Sequence, residues 1–537
     1  MATDGQWWRD AVVYQVYPRS FADSNGDGVG DLPGVRSRLP HLRDLGVDAV
    51  WLSPFYAGPQ ADGGYDVADY RAVDPVFGTS ADAEALIDEA HALGLRVVVD
   101  LVPNHSSDRH AWFRRALAEG PGSPFRDRYH FRPGLGPRGD RPPNDWGSLF
   151  GGPAWTRTTD PDGSPGDWYL HLFAPGQPDF DWEHPEVARE FRSVLRFWLD
   201  RGVDGFRVDV AHGLVKAAGL PDHGRSARLL DLTATPFWDQ DGVHEVYRDW
   251  RRLLDSYPGG RIGVAEAWGP TLARTARYVR PDELHQAFNF HYLTCAWDPA
   301  ALRAVVDDSL AAMRAVGAPA TWVLSNHDVV RHATRLAPCA DRATGLRRAR
   351  AATLLMLALP GSAYLYQGEE LGLPEVPDLP DDRRQDPAFR RTGGRDGHRD
   401  GCRVPLPWHG DRPPYGFGPP GGPSWLPQPD EWAGLSVAAQ SGVPGSTLEL
   451  YRAALALRRA HPALGGGDDL TWLAGDDAVP AFERRAGGAV FRCAVNAGEH
   501  PAKVEVEGAL LLSSAPVDHD GAHVVLPPDT AIWWTPA

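Results

Sequence analysis

Along the first two thirds of the chain, short apolar runs alternate with longer stretches whose apolar residues recur every three to four positions. The runs AVVYQVY (11–17), VDAVWLSP (47–54), LRVVVDLVPNH (95–105), GVDGFRVDV (202–210), RIGVAEAW (261–268), HQAFNF (285–290), ATWVLSNHD (320–328) and SAYLYQGEE (362–370) are rich in β-branched and aromatic residues and read as strands. Between them, SADAEALIDEAHALG, EVAREFRSVLRFWLDR and EVYRDWRRLLDSY carry helical periodicity. Strands alternating with amphipathic helices predict a parallel sheet, and eight such strands predict a closed barrel rather than an open sheet.

Two stretches interrupt the alternation. Residues 106–175, rich in Pro, Gly, Asp and Trp, are too long for a simple βα loop and read as a subdomain inserted over the barrel mouth. Residues 374–435 are denser in Pro and Gly, but their Trp and Tyr content favours an ordered, packed loop over a linker. After the helical TLELYRAALALRRAHPAL (447–464), the runs AVFRCAVNA, AKVEVEGALLL and HVVLPPDTAIWW predict a small antiparallel domain. The expected fold class is α/β: a (β/α)8 TIM barrel with an inserted subdomain after strand three and a C-terminal antiparallel β domain. The expected boundaries are 1–105 and 176–464 for the barrel, 106–175 for the insertion and 465–537 for the last domain.

Composition narrows the function classes. The net charge of −17 repels nucleic acid and anionic membranes and fits a neutral substrate. No stretch of about 20 apolar residues predicts a membrane span, and MATDGQWWRD lacks the form of a secretory signal, so a cytoplasmic location is expected. The four cysteines, Cys295, Cys339, Cys402 and Cys493, are scattered and read as reduced thiols. The 20 Trp, 15 Tyr and 19 Phe suit stacking on sugar rings, although aromatics also fill cores.

The ends of the expected strands carry the candidate chemistry: Asn104 and His105, Asp209, Glu266, His327 and Asp328. In a barrel of this kind the C-terminal strand ends form the active-site face. A carboxylate ending an apolar strand is costly without a purpose. Glycosidic bond cleavage needs two carboxyl groups, one to protonate the leaving oxygen and one to attack the anomeric carbon. Arg207 lies two residues before Asp209, on the same face of a strand, where its charge would keep Asp209 ionised. Glu266 would hold the proton.

The motifs DLVPNH (100–105), GFRVDVAH (205–212), EAW (266–268) and SNHD (325–328), in that order, resemble glycoside hydrolase family 13, the α-amylase family. The resemblance runs from YQVYPRSF near the start to YQGEELG (366–372) and the β domain after it. It implies Asp209 as nucleophile, Glu266 as general acid/base and Asp328 as transition-state stabiliser, with Arg207, His105 and His327 holding the cleaved glucose. The mechanism would be retaining. Within the family, DGGYDVADY (62–70) and GRDGHRDGCRVPLPW (394–408) are similar to the α-glucosidase and oligo-1,6-glucosidase group. There Tyr65 would stack on the terminal glucose, and Asp66 would pair with Arg403 over its 4-hydroxyl, closing the pocket beyond one sugar. QPDFD (177–181), VPLPW and the doubled RDGHRDG depart from the group's pattern and leave the alignment of Arg395 and Arg399 open. In the group, Val after the nucleophile goes with α-1,6 activity and Thr with α-1,4; here it is Val210, but the AHG that follows is not that of typical α-1,6 enzymes. The resemblance implies an exo-acting α-glucosidase of short α-1,4 oligosaccharides, with α-1,6 activity alongside. The alternatives are an oligo-1,6-glucosidase or a transglucosylase or isomerase of trehalose synthase or sucrose isomerase type. The expected partner is a small oligosaccharide; the oligomeric state is left open.

FADSNGDGVGDLPGV (21–35) opens like an EF-hand loop, with Asp23, Asn25 and Asp27 at alternate positions and Gly28 behind them. Position 12 of such a loop, which needs a bidentate Glu, is Gly34, which speaks against a sensor. Relatives in the oligo-1,6-glucosidase group imply instead a structural calcium ion, or magnesium in its place, on Asp23, Asn25, Asp27, the Val29 carbonyl and Asp31. No organic cofactor is expected.

Overall fold

The structure, a computed structural model, describes residues 4–224, 233–337, 341–467 and 469–537. Eight parallel strands form the barrel: β1 (Val12–Val16), β2 (Ala49–Leu52), β3 (Arg96–Leu101), β4 (Gly205–Val208), β5 (Ile262–Ala265), β6 (Gln286–Ala287), β7 (Thr321–Val323) and β8 (Ser362–Tyr366). Neighbours pair in parallel in the order β6-β5-β4-β3-β2-β1-β8-β7. The Asn289 N–H, 3.1 Å from the Thr321 carbonyl, stitches the end of β6 to β7.

Strand alternation sorts the side chains. On β1, Val12, Tyr14 and Val16 join the shell against the helices, while Val13 joins the lumen cluster with Ala49, Trp51, Val98, Ile262 and Val264. On β3, Val97, Val99 and Leu101 face the helices, leaving Val98 and Asp100 to the lumen. Phe206 and Val208 of β4 do the same, which turns Arg207 inward. Every strand stops short of the C-terminal end of its expected run. The overhangs are the loops that carry Asn104, Asp209, Glu266 and Asp328.

Helices return between the strands, as the periodicity predicts. Ser80–Ala92 starts on Thr79, whose hydroxyl and the Asp82 carboxylate cap each other's backbone N–H; such a cap contributes about 1 kcal/mol. Pro185–Leu199 begins with Pro at its first position and buries Phe191, Leu195 and Trp198.

The insertion folds as a helix, Ala111–Glu119, and a three-stranded antiparallel sheet of 131–132, 165–170 and 155–159. Residues 374–435 are ordered, with Tyr415, Phe417, Trp425 and Trp432 buried. The C-terminal residues form two sheets. The apolar stretch 502–512 is split between them: Ala502–Glu505 pairs with His523–Leu526, whereas Gly508–Ser513 pairs with Thr530–Pro536. Pro527, Pro528 and the left-handed Asp529 (φ 56°) break the partner stretch at the matching place. Many aromatics serve the core: Trp51, Trp146, Trp198, Trp250 and Trp533 are fully buried. Cys295, Cys402 and Cys493 are free thiols, and Cys339 lies outside the described residues.

Candidate active site

A cavity opens at the C-terminal ends of the strands, under the insertion. Asp209, Glu266 and Asp328 line it together with Tyr65 and His105. The expected acids therefore converge.

Arg207 organises two of them. Its guanidinium, 1% exposed, lies 2.7 Å from Asp209 Oδ1, 2.9 Å from Glu266 Oε2 and 2.9 Å from Asp100 Oδ1. Burial pushes Asp209 well above the usual carboxylate range; Arg207 pulls it down, while Glu266 and Asp100 push it up again. Arg207 thus favours the ionised form, as its place on the strand led us to expect, but it opposes a larger desolvation effect. Asp100 is raised to about 6 by burial against the same arginine. Asp100 also accepts from Tyr65 Oη (3.0 Å) and Trp51 Nε1 (3.2 Å), so it fixes both the arginine and the tyrosine.

Val210, directly after Asp209, has a φ of 46°. A β-branched residue in the left-handed region is strained by about 1–3 kcal/mol. The turn aims its N–H at Glu266 Oε2, 2.9 Å away, and its side chain into the cavity. Gly213 lets this turn close: a Cβ there would lie 2.5 Å from the Trp238 ring and 2.6 Å from Val210 Cγ1.

Asp328 Oδ1 accepts from Arg403 (2.8 Å) and Arg399 (3.0 Å), with His327 Nε2 3.3 Å from Oδ2. Burial would raise Asp328, but His327, Arg399 and Arg403 outweigh it and hold the carboxyl well below its usual range. Burial drives His327 itself far down, so at neutral pH the two guanidiniums carry that effect. The His327 ring lies between Tyr65 (centroids 5.2 Å, 7° apart) and Tyr17 (5.8 Å, 21°). One face of Tyr65 is therefore taken by His327. His105 is neutral, lowered to about 4 by burial, and bonds the Tyr65 carbonyl through Nε2 (2.9 Å).

The expected Asp66–Arg403 clamp is not formed. Asp66 turns back into its own loop, accepting the N–H groups of Ala61 (2.8 Å) and Asp62 (3.3 Å). Asp62 faces the cavity instead, 3.0 Å from Arg399. Arg399 also bonds Asp328 and Asp386. Arg403 sits behind, donating to the His327 carbonyl (2.7 Å) and to Asp328. Arg395 is exposed and bonds Thr392, which resolves the doubled RDGHRDG in favour of Arg399. Asp62 and Asp100 are site residues that the motif reading missed, although both stand inside the motifs DGGYDVADY and DLVPNH.

Away from the cavity, the buried ammonium of Lys216 bonds Asp179 (2.8 Å), Asn104 (2.8 Å) and the Gly213 carbonyl. It ties the loop after β3, the segment that follows the insertion and the loop after β4 to one point.

In the loop at 23–31, the expected metal ligands are hard oxygen donors, the kind calcium takes. Their carboxylates serve the loop's own N–H groups. Asp23 accepts from Asn25, Gly26 and Gly28, and Asp27 from Val29. Asp31 caps the helix Leu32–Ser37 through the Gly34 N–H and accepts from Ser24. Among the described residues, no three His, Cys, Asp or Glu side chains converge as a metal site.

The catalytic-domain model named Alpha amylase matches residues 15–467. A protein described as "Probable alpha-glucosidase" from Rhizobium meliloti (strain 1021) is 37% identical over 94% of this chain and 91% of its own length. The "Oligo-1,6-glucosidase" of Parageobacillus thermoglucosidasius is 34% identical over 90% of this chain and 88% of its own. Among solved structures, the "alpha-glucosyl transfer enzyme, XgtA" is 37% identical with a TM-score of 0.86, covering 99% of both chains. With its three strand-end acids meeting in one cavity and its barrel matched over most of its length, the chain belongs to the α-amylase family, glycoside hydrolase family 13.

Proposed function

We propose that this protein is an exo-acting, retaining α-glucosidase that releases glucose from the non-reducing end of short α-glucosides. The observation that carries this reading is the Asp62–Arg399–Asp328 bridge, which ties one of the three acids to Asp62. A carboxylate and a guanidinium pinned together there form a polar clamp for the outer hydroxyls of one terminal sugar, and leave no path for a longer chain on that side.

In the first step an Asp209 oxygen attacks the anomeric carbon while Glu266 gives its proton to the departing glycosidic oxygen. In the second, Glu266 takes a proton from water, whose oxygen displaces Asp209. Asp328, held ionised by its two arginines, binds ring hydroxyls as the sugar flattens and positive charge develops. The substrates are α-1,4-linked maltose and maltooligosaccharides, with α-1,6 linkages alongside. The Asp209→Asn variant tests the assignment: turnover of maltose falls by about 10³-fold or more with the melting temperature retained, and substantial remaining turnover refutes it.

Transfer to a sugar acceptor is the second reading, favoured by the likeness to XgtA, whose description is that of a glucosyl transfer enzyme. Maltose digestion separates the two: free glucose in twofold yield supports hydrolysis, whereas trehalose or longer products with little glucose support transfer.

The loop at 23–31 is read as a structural calcium clip held by Asp23, Asn25, Asp27, the Val29 carbonyl and Asp31, supported by donor type alone. A chelator lowers the melting temperature if this is right. The site is read as acting on soluble substrate in the cytoplasm; among the described residues no helix is long and apolar enough to cross a membrane.

A further inference from the structure

The two carboxylate oxygens of Glu266 have different surroundings. Oε2 lies 2.9 Å from Arg207 Nη2 and 2.9 Å from the Val210 N–H. Both partners are pure donors. A proton on Oε2 would point at other protons, so the acid form of Glu266 carries its proton on Oε1.

Among the described residues Oε1 has one donor, the indole N–H of Trp268 at 3.2 Å. That indole is held rigidly. Its ring is stacked on Phe290 with centroids 3.7 Å apart and planes 1° apart, and it is 5% exposed. Trp268 and Glu266 both line the cavity. The carboxyl plane of Glu266 is thus fixed at both ends, by Arg207 and Val210 at Oε2 and by Trp268 at Oε1.

We infer that Trp268 is a positioning residue that holds Glu266 Oε1 as the atom that carries and delivers the catalytic proton. The inference rests on the α-glucosidase reading, with Glu266 as acid and base. In the first step the Oε1–H bond breaks as the glycosidic oxygen takes the proton and the C1–O bond opens. In the second, Oε1 regains a proton from the attacking water. The indole N–H stays in place throughout; it favours the carboxylate that remains after the first proton has left. Without it, Oε1 is freer to rotate and the carboxylate less favoured relative to the acid.

The test is Trp268→Phe, which keeps a ring against Phe290 and removes the N–H. The readouts are the pH dependence of kcat/KM on maltose and the ratio of maltose to α-glucosyl fluoride, whose leaving group needs little protonation. The expected result is an alkaline limb moved up by about half to one pH unit, with maltose losing about tenfold more than the fluoride at neutral pH. An unmoved limb, or equal losses on both substrates, overturns the inference. If Trp268→Phe does not fold, 3-benzothienylalanine at position 268 replaces only the N–H by sulfur and takes the same readouts. Glu266→Gln separates this from the parent reading: full maltose turnover in that variant refutes Glu266 as the acid, whatever Trp268 does.

Discussion

Asp62 and Asp66 stand four positions apart in one turn and do different work. Asp62 holds Arg399 at the edge of the cavity, and Asp66 closes the turn through two backbone N–H groups. Replacing Asp62 with Ala is expected to lower kcat/KM on maltose by about 100-fold or more, with little change in melting temperature. Asp66→Asn is expected to act on stability, by about 1–2 kcal/mol, and to leave kcat/KM within severalfold. Steady-state kinetics and thermal melts on the two variants check both halves. The nucleophile adds a pH expectation. Because burial raises Asp209, the acid limb of the kcat/KM profile should lie above the ordinary aspartate value of about 4. A limb at or below that value would mean that Arg207 prevails over desolvation.

Among the connecting elements, the short helix after β8 carries Glu369, which burial raises to about 8 from its ordinary 4.5. It accepts from the Tyr366 N–H (3.0 Å) and from Tyr451 Oη (3.3 Å) of the helix Thr447–Ala460. Between those two pH values the folded chain binds more protons than the unfolded one, so this group's contribution is present at low pH and lost as pH rises towards 8. Glu369→Gln should flatten that fall, measured as melting temperature from pH 5 to 8. Lys216 joins three loops through two carbonyl oxygens and one carboxylate. Lys216→Met leaves Asp179 buried without its cation and should cost about 3–5 kcal/mol, read by denaturant unfolding. These elements show where sequence reading reaches and where it stops. Barrel strands were legible because a strand buried on both faces is a continuous apolar run. Their ends were not, because the loops beyond them begin with the same residue types. The choice between Asp62 and Asp66 was also hidden. It depends on how the turn winds through Gly63 (φ 60°) and Gly64 (φ 106°), which decides the carboxylate that meets its own backbone. Likewise, RDGHRDG offers two arginines in equivalent settings, and only the folded segment, which brings Arg399 to its own Asp386 and to Asp62, selects Arg399.

At the scale of the molecule, the barrel, the insertion and the C-terminal domain are those expected from the pattern of runs. The split of 502–512 and 523–534 between two sheets was not, since periodicity of two says nothing about which sheet receives a strand. The catalytic geometry is distributed over the ends of β2, β3, β4, β5 and β7 and the segment after β8, so the cavity exists only when the whole barrel is closed. The proposed function requires a single-sugar pocket whose nucleophile and acid act from opposite sides of one bond with net retention. Following maltotetraose digestion by proton NMR in the first minutes, before the anomers equilibrate, tests this most directly. Retaining cleavage of one terminal residue gives α-glucose as the first product, with maltotriose accumulating in equal amount. Initial β-glucose, or maltose as the main early product, would contradict it.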